Sequence, residues 1–150
     1  MAEKPVVLLA DDNEATCTLI RALLQNEYTL EIAGDGEEAI EKLRTRRYDA
    51  ILLDLRMPIV DGYGVLEHLA RERPDLLARV VVVTASLSPR EIERVRRFPI
   101  CCLVPKPFEV DVFTNAVREC TGRGSQSGIH PPILSGGIMF LLAAELMKRM

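Results

Sequence analysis

AILLDLRMPIVDG, residues 50–62, runs through Ile51, Leu52 and Leu53 into a single aspartate, Asp54, and then turns at once through Met57-Pro58 and Asp61-Gly62. A short apolar run bounded by turn residues reads as a strand buried on both faces. Proline biases Met57 toward extended backbone, and Asp-Gly favours a turn. The stretch therefore predicts Asp54 at the carboxyl end of a strand, held rigid and exposed on the rim of a sheet.

Four further runs resemble the first in length and in Val, Ile and Leu content: PVVLLA (5–10), YTLEIA (28–33), RVVVVT (79–84) and ICCLV (100–104), beside DAILLD (49–54). The segments between them carry apolar residues at helical spacing. Thr16, Leu19, Ile20, Leu23 and Leu24 mark the first such face, and Ala39, Ile40 and Leu43 the second. Val65, Leu66, Leu69 and Ala70 mark the third, Ile92 and Val95 the fourth, and Phe113, Ala116, Val117 and Cys120 the fifth. Asp35-Gly-Glu-Glu38 and Ser88-Pro-Arg-Glu91 each place an N-cap residue three positions before a glutamate, and Pro89 suits a first helical position. Five β-α alternations predict parallel strands joined by right-handed helical crossovers: an α/β, flavodoxin-like, doubly wound five-stranded parallel sheet of order 2-1-3-4-5 with helices on both faces.

The whole chain narrows the function classes. Its 150 residues suffice for one domain with a sizeable core. A net charge of −3 provides no basic field for nucleic acid, and 48% hydrophobic residues argue against disorder. The opening MAEKPVVLLADD reads neither as a signal peptide nor as a transmembrane span. Cys17, Cys101, Cys102 and Cys120 lack the C-x-x-C spacing of a zinc site and read as small thiols in a reducing compartment, with Cys101 and Cys102 on opposite faces of a strand. His68, flanked by Glu67 and Arg71 in the third helix, reads as a solvated side chain.

Ligands of open α/β sheets bind outside the carboxyl ends of the strands, where strand order reverses. The first run ends in Asp11-Asp12, the third in Asp54 and the fourth in Thr84, and the fifth leads into Lys106-Pro107. With strands 1 and 3 adjacent, three carboxylates converge, and a cation would relieve their repulsion. Oxygen donors in a partly hydrated setting suit Mg²⁺. Lys106 and Thr84 add a point charge and a hydroxyl, the remaining parts for stabilising a transferring phosphoryl group with Asp54 as acceptor.

VVLLADDN (6–13), ILLDLRMPIVDG (51–62), VVVTA (81–85) and VPKPF (104–108) together resemble the receiver domain of bacterial response regulators, of the single-domain kind found in chemotaxis. The resemblance covers residues 5–120. It implies that Asp54 is the phosphoacceptor, that Asp12 ligates Mg²⁺ directly, that Asp11 holds it through water, and that the backbone carbonyl of Arg56 is a further ligand. It also implies that Thr84 follows the phosphoryl group, that Lys106 is its ion-pair partner, and that the Lys106-Pro107 bond is cis. The phosphoryl donor would be a histidine kinase or a histidine phosphotransfer protein, in the cytoplasm. Such a receiver is a signalling switch that catalyses its own phosphorylation and dephosphorylation, rather than an enzyme acting on a pool of substrate. Many receivers carry Tyr or Phe three residues before the lysine; here Leu103 stands there, so the surface readout differs. The alternative function is a phosphorylation-independent pseudo-receiver acting as an interaction module. A flavin carrier of this fold would need a Ser/Thr/Gly-rich first loop where ADDNEAT is acidic, and a dehalogenase-type phosphohydrolase would need an Asp-x-Asp pair that neither Asp11 nor Asp54 begins.

After Cys120 the character changes. Residues 121–137 read as a polar, Gly- and Pro-containing linker, and 138–150, IMFLLAAELMKRM, as an apolar segment that if helical would have to be covered. The segment is too short to span a bilayer. We expect it to pack on another protein surface, a downstream target or a second copy in a homodimer; membrane contact is not expected. No helix-turn-helix pattern follows Cys120, and no nucleic-acid partner is expected.

Overall fold

The computed structural model describes residues 3–85 and 87–122. Its elements alternate as β1 (Val6–Ala10), α1 (Glu14–Leu24), β2 (Thr29–Ala33), α2 (Gly36–Thr45), β3 (Ala50–Leu53), α3 (Gly62–Glu72), β4 (Val80–Thr84), α4 (Pro89–Arg96), β5 (Cys102–Pro105) and α5 (Val110–Cys120). The strands form one parallel sheet of order β2-β1-β3-β4-β5, as the alternation predicts. A 3-10 helix at Pro74–Arg79, not anticipated from the sequence, leads into β4.

The two-residue period of each strand divides its side chains between two apolar layers. Leu8, Ala10, Ile51, Leu53, Val80, Val82 and Leu103 join the layer that holds Leu43 of α2, Leu66 and Leu69 of α3, and Ile92 and Val95 of α4. Val7, Leu9, Leu52, Val81, Val83, Cys102 and Val104 join the layer that holds Ile20 and Leu24 of α1 and Phe113, Ala116 and Val117 of α5. Both faces of the central strands are thereby removed from water, which is why they read as unbroken apolar runs rather than as alternations. Each side chain of Leu or Ile size buried in this way contributes roughly 1.5–3 kcal/mol before the entropy of ordering it.

The capping signals act as read. Asp35 accepts from the Glu38 backbone N–H at 2.8 Å, and Ser88 accepts from that of Glu91 at 3.1 Å. Asn13 and Asp61 cap α1 and α3, accepting from Thr16 and Gly64 at 2.9 Å each. Past α5, Gly122 takes a positive φ of 80°, and its N–H donates to the Glu119 carbonyl, the glycine ending common to helices.

Several side-chain expectations are corrected. Leu19 lies 49% exposed, and Cys17 takes its place in the buried stripe of α1. In α3 the stripe includes His68 and leaves out Ala70. His68, expected in solvent, is buried. It stands three residues after Val65, on the buried stripe that also holds Leu69, and charged neighbours in sequence do not decide that. β5 begins at Cys102, not at residue 100, so strand alternation does not govern Cys101, and Cys101 and Cys102 pack against the same apolar layer. Of the segments expected after Cys120, the linker at 121–137 lies outside the described residues except for Thr121 and Gly122, and the apolar segment 138–150 lies wholly outside them. Among the described residues no helix is long and apolar enough to cross a membrane.

Candidate functional site

Backbone hydrogen bonds carry the sheet past its strands and fix each polar residue at the rim. Asp11 N–H donates to the Ala33 carbonyl, Asp54 N–H to Ala10 and Lys106 N–H to Thr84, each at 3.0 Å. These bonds extend the pairings of β1 with β2, β3 with β1 and β5 with β4, and β3 pairs with β4 directly, so the residues that follow β1, β3, β4 and β5 are brought to one end of the sheet. Carboxylate oxygens of Asp11, Asp12 and Asp54 come within 4.8 Å of one another there. Lys106 Nζ reaches across to Asp11 Oδ2 at 2.8 Å and Asp54 Oδ2 at 3.5 Å. Lys106-Pro107 is the cis peptide bond expected.

Asp54 is not exposed as the sequence suggested: only 8% of it is accessible, and Asp11 and Thr84 are buried as well. Asp12 alone of the three acids faces solvent. Burial pushes the Asp54 carboxyl above its ordinary value, and the Asp11 charge adds to the push. The Lys106 ammonium opposes it, followed by hydrogen bonds from the Arg56 backbone and the Thr84 hydroxyl. One ammonium shared between two buried carboxylates leaves the cluster short of positive charge. An all-oxygen donor set with one open, solvated side fits Mg²⁺, so the residues present suit the ion that the sequence implies.

The loop after Asp54 owes its path to close backbone approach. A Cβ on Gly62 would stand 2.4 Å from the Asp54 carbonyl oxygen and 2.7 Å from Leu55 Cα, and the Gly62 N–H donates to the Leu55 carbonyl at 3.0 Å. A Cβ on Gly36 would stand 2.0 Å from the Val60 carbonyl oxygen. Only glycine admits these contacts. Between them Ile59, 74% exposed, sits at φ 68°, a left-handed conformation that a β-branched residue adopts at a cost. The Asp-Gly of the opening stretch is thus a helix cap and a close-packing position together.

Beside Asp12 opens a cleft of about 500 Å³ lined by Arg56, Met57, Asp61, Tyr63, Glu91 and Arg94. The Tyr63 hydroxyl donates to the Glu91 carboxylate, and the Arg94 guanidinium stands 3.7 Å from the Tyr63 ring centroid. These contacts tie the start of α3 to α4. Sequence reading missed them: Glu91 was legible only as a capping residue, because no local pattern tells that α3 and α4 are neighbours. Leu103, in place of an aromatic residue, is fully buried in the layer that holds Ile92 and Val95 of α4.

Comparison with known proteins agrees with this geometry. The family model for the response regulator receiver domain matches residues 7–118. The chain is 37% identical over 120 residues to the response regulator MprA of Mycobacterium ulcerans (strain Agy99), covering 78% of this chain and 50% of that protein. It is 33% identical over 104 residues to the response regulator receiver protein Anae109_2439 of Anaeromyxobacter sp. (strain Fw109-5), covering 69% and 43%. It therefore spans about half the length of the curated relatives it matches. Among solved structures, the receiver domain of the Francisella response regulator 1452 superposes with a TM-score of 0.70 at 28% identity, covering 80% of this chain and 98% of that one. The receiver domain of sensor histidine kinase PA1611 from Pseudomonas aeruginosa PAO1, which holds a magnesium ion in its active-site cleft, gives 0.72 at 26%, covering 80% and 99%.

Proposed function

The chain belongs to the response regulator receiver domain family of two-component signalling, and we propose that it is a working phosphoacceptor switch with Asp54 as the acceptor. One observation supports this above the rest: Asp11, Asp12, Asp54, Thr84 and Lys106, drawn from four strand ends, meet at one rim with Lys106 Nζ between two carboxylates. In this reading residues 5–120 form the switch, and a histidine kinase or phosphotransfer protein in the cytoplasm supplies the phosphoryl group. The downstream target is a protein surface.

An Asp54 oxygen attacks phosphorus in line, the phosphorus–nitrogen bond of the donor phosphohistidine breaks, and the released imidazole takes its proton from solvent. Asp12, Asp54 and the Arg56 carbonyl would ligate Mg²⁺, with Asp11 holding it through water, and the ion would supply positive charge to the transferring oxygens. Lys106 has to leave part of its contact with Asp54 as that carboxylate becomes an acyl phosphate, and its ammonium then serves a phosphoryl oxygen. The Thr84 hydroxyl, already hydrogen-bonded to Asp54, turns its proton to the same group. Because Leu103 cannot swing as an aromatic ring would, the shift of Thr84 is transmitted through the loop at 85–89 and α4. Water attack on the same phosphorus ends the signal.

A phosphorylation-independent interaction module would keep the fold without the chemistry, and a phosphoryl mimic separates the two. With Mg²⁺ present, beryllofluoride is expected to slow amide exchange at Asp54, at Thr84 and along α4. No change in exchange at any of these positions would favour the module.

A further inference from the structure

A second cluster of reactive side chains lies at the opposite end of β5 from Lys106. The Sγ atoms of Cys101, Cys102 and Cys120 all come within 4.8 Å of one another, and Cys101 and Cys120 are joined as a disulfide with their Cα atoms 6.0 Å apart. That separation lies in the middle of the range a disulfide tolerates without backbone movement. The sequence reading of free thiols thus holds for Cys17 and Cys102, which are buried, and is corrected for the other two. Cys101 precedes β5, Cys120 ends α5, and both are half-buried. The 19-residue separation between them contains Lys106 and Pro107, so one covalent loop encloses the lysine of the acidic site.

We propose that Cys101 and Cys120 form a reversible disulfide that clasps the end of α5 to the start of β5, opened and closed by exchange with small thiols and disulfides of the glutathione class. On closing, one thiolate attacks the small disulfide and releases one small thiol, leaving a mixed disulfide on the protein. The second thiolate then attacks the protein-side sulfur, the intramolecular S–S bond forms, and a second small thiol departs. Both protein sulfurs are oxidised and one small disulfide is reduced to two thiols. Opening is the reverse. Cys102, although its Sγ lies 3.8 Å from that of Cys120, does not compete: it is fully buried, and burial pushes its thiol up to about 12, so it stays protonated and unreactive. A buried proton on Cys102 keeps the pairing specific.

The test equilibrates the full chain in chelator-containing buffers of graded reduced-to-oxidised glutathione ratio, quenches with acid, alkylates under denaturing conditions and measures intact mass. Wild type is expected to pass from four alkylated thiols to two as the ratio falls, without a retained glutathione adduct. Cys102→Ala is expected to lose two alkylation sites over the same ratios, whereas Cys101→Ala and Cys120→Ala form no internal bridge and lose at most one site, to a glutathione adduct that no second thiolate resolves. Fragmentation of the oxidised wild type between residues 101 and 102 gives the linkage directly, should Cys102→Ala fail to fold. Oxidised wild type is also expected to melt at least about 5 °C above the reduced form, a difference absent from Cys101→Ala. Four reactive thiols at every ratio, stable glutathione adducts in place of a bridge, or a Cys102–Cys120 linkage would overturn the proposal.

Discussion

Gly62 lies against the backbone of Asp54 so closely that a single added carbon would stand 2.4 Å from the Asp54 carbonyl oxygen. The first residue of α3 therefore sets where Asp54 sits. Gly62→Ala is expected to destabilise the protein by about 1–3 kcal/mol, the usual cost of overpacking, and to slow phosphorylation because the loop after β3 has to move. Urea denaturation would show a lower midpoint at unchanged slope. A midpoint equal to wild type would mean that the contact yields without cost.

The charge balance of the cluster makes a prediction of its own. The Asp54 carboxyl titrates above its ordinary value because of burial first and the Asp11 charge after it, with Lys106 opposing. The folded state thus holds this proton more tightly than the unfolded state, and the stability it contributes is lost as pH rises through the unfolded and then the folded value. Above its folded value the ionised carboxylate is a net burden. Without Mg²⁺, Asp54→Asn is expected to melt at a higher temperature than wild type, and added Mg²⁺ to raise the melting temperature of wild type more than that of the variant. A variant that melts lower than wild type in chelator contradicts this.

How much of this was legible in sequence depends on the kind of signal. Asp11, Asp12, Asp54, Thr84 and Lys106 could be read because apolar runs that stop on a polar residue mark strand ends, and a doubly wound sheet gathers those ends. Asp35, Ser88 and their glutamates are local patterns and were equally plain. The exposure of Asp54 was misjudged because burial at the rim comes from neighbouring strands and the loop at Gly62, not from residues 50–54. His68 and the Tyr63–Glu91–Arg94 contact depend on which helices lie side by side. The three cysteines meet because α5 runs back along β5, and no spacing rule covers a pair 19 positions apart.

His68 carries a pH dependence. Burial, with help from Arg44, lowers its pKa below the ordinary value, while Glu72 opposes. The unfolded chain then binds the proton more readily, so the stability contributed by neutral His68 is present above its unfolded pKa and declines as pH falls through it toward the lower folded value. Wild type is expected to lose more stability between about pH 7.5 and 5.5 than His68→Leu does. Equal slopes in chemical denaturation at a series of pH values would show that His68 protonates freely in the fold.

The most direct test of the central claim is the intact mass of the chain after incubation with acetyl phosphate and Mg²⁺, run beside Asp54→Asn, Asp12→Ala and a chelator control. The account predicts one phosphoryl group added to wild type, labile as an acyl phosphate is, little or none on Asp12→Ala, and none on Asp54→Asn or without the metal. An acid-stable phosphate that persists on Asp54→Asn, or a wild-type chain that stays unmodified under every condition, would contradict it.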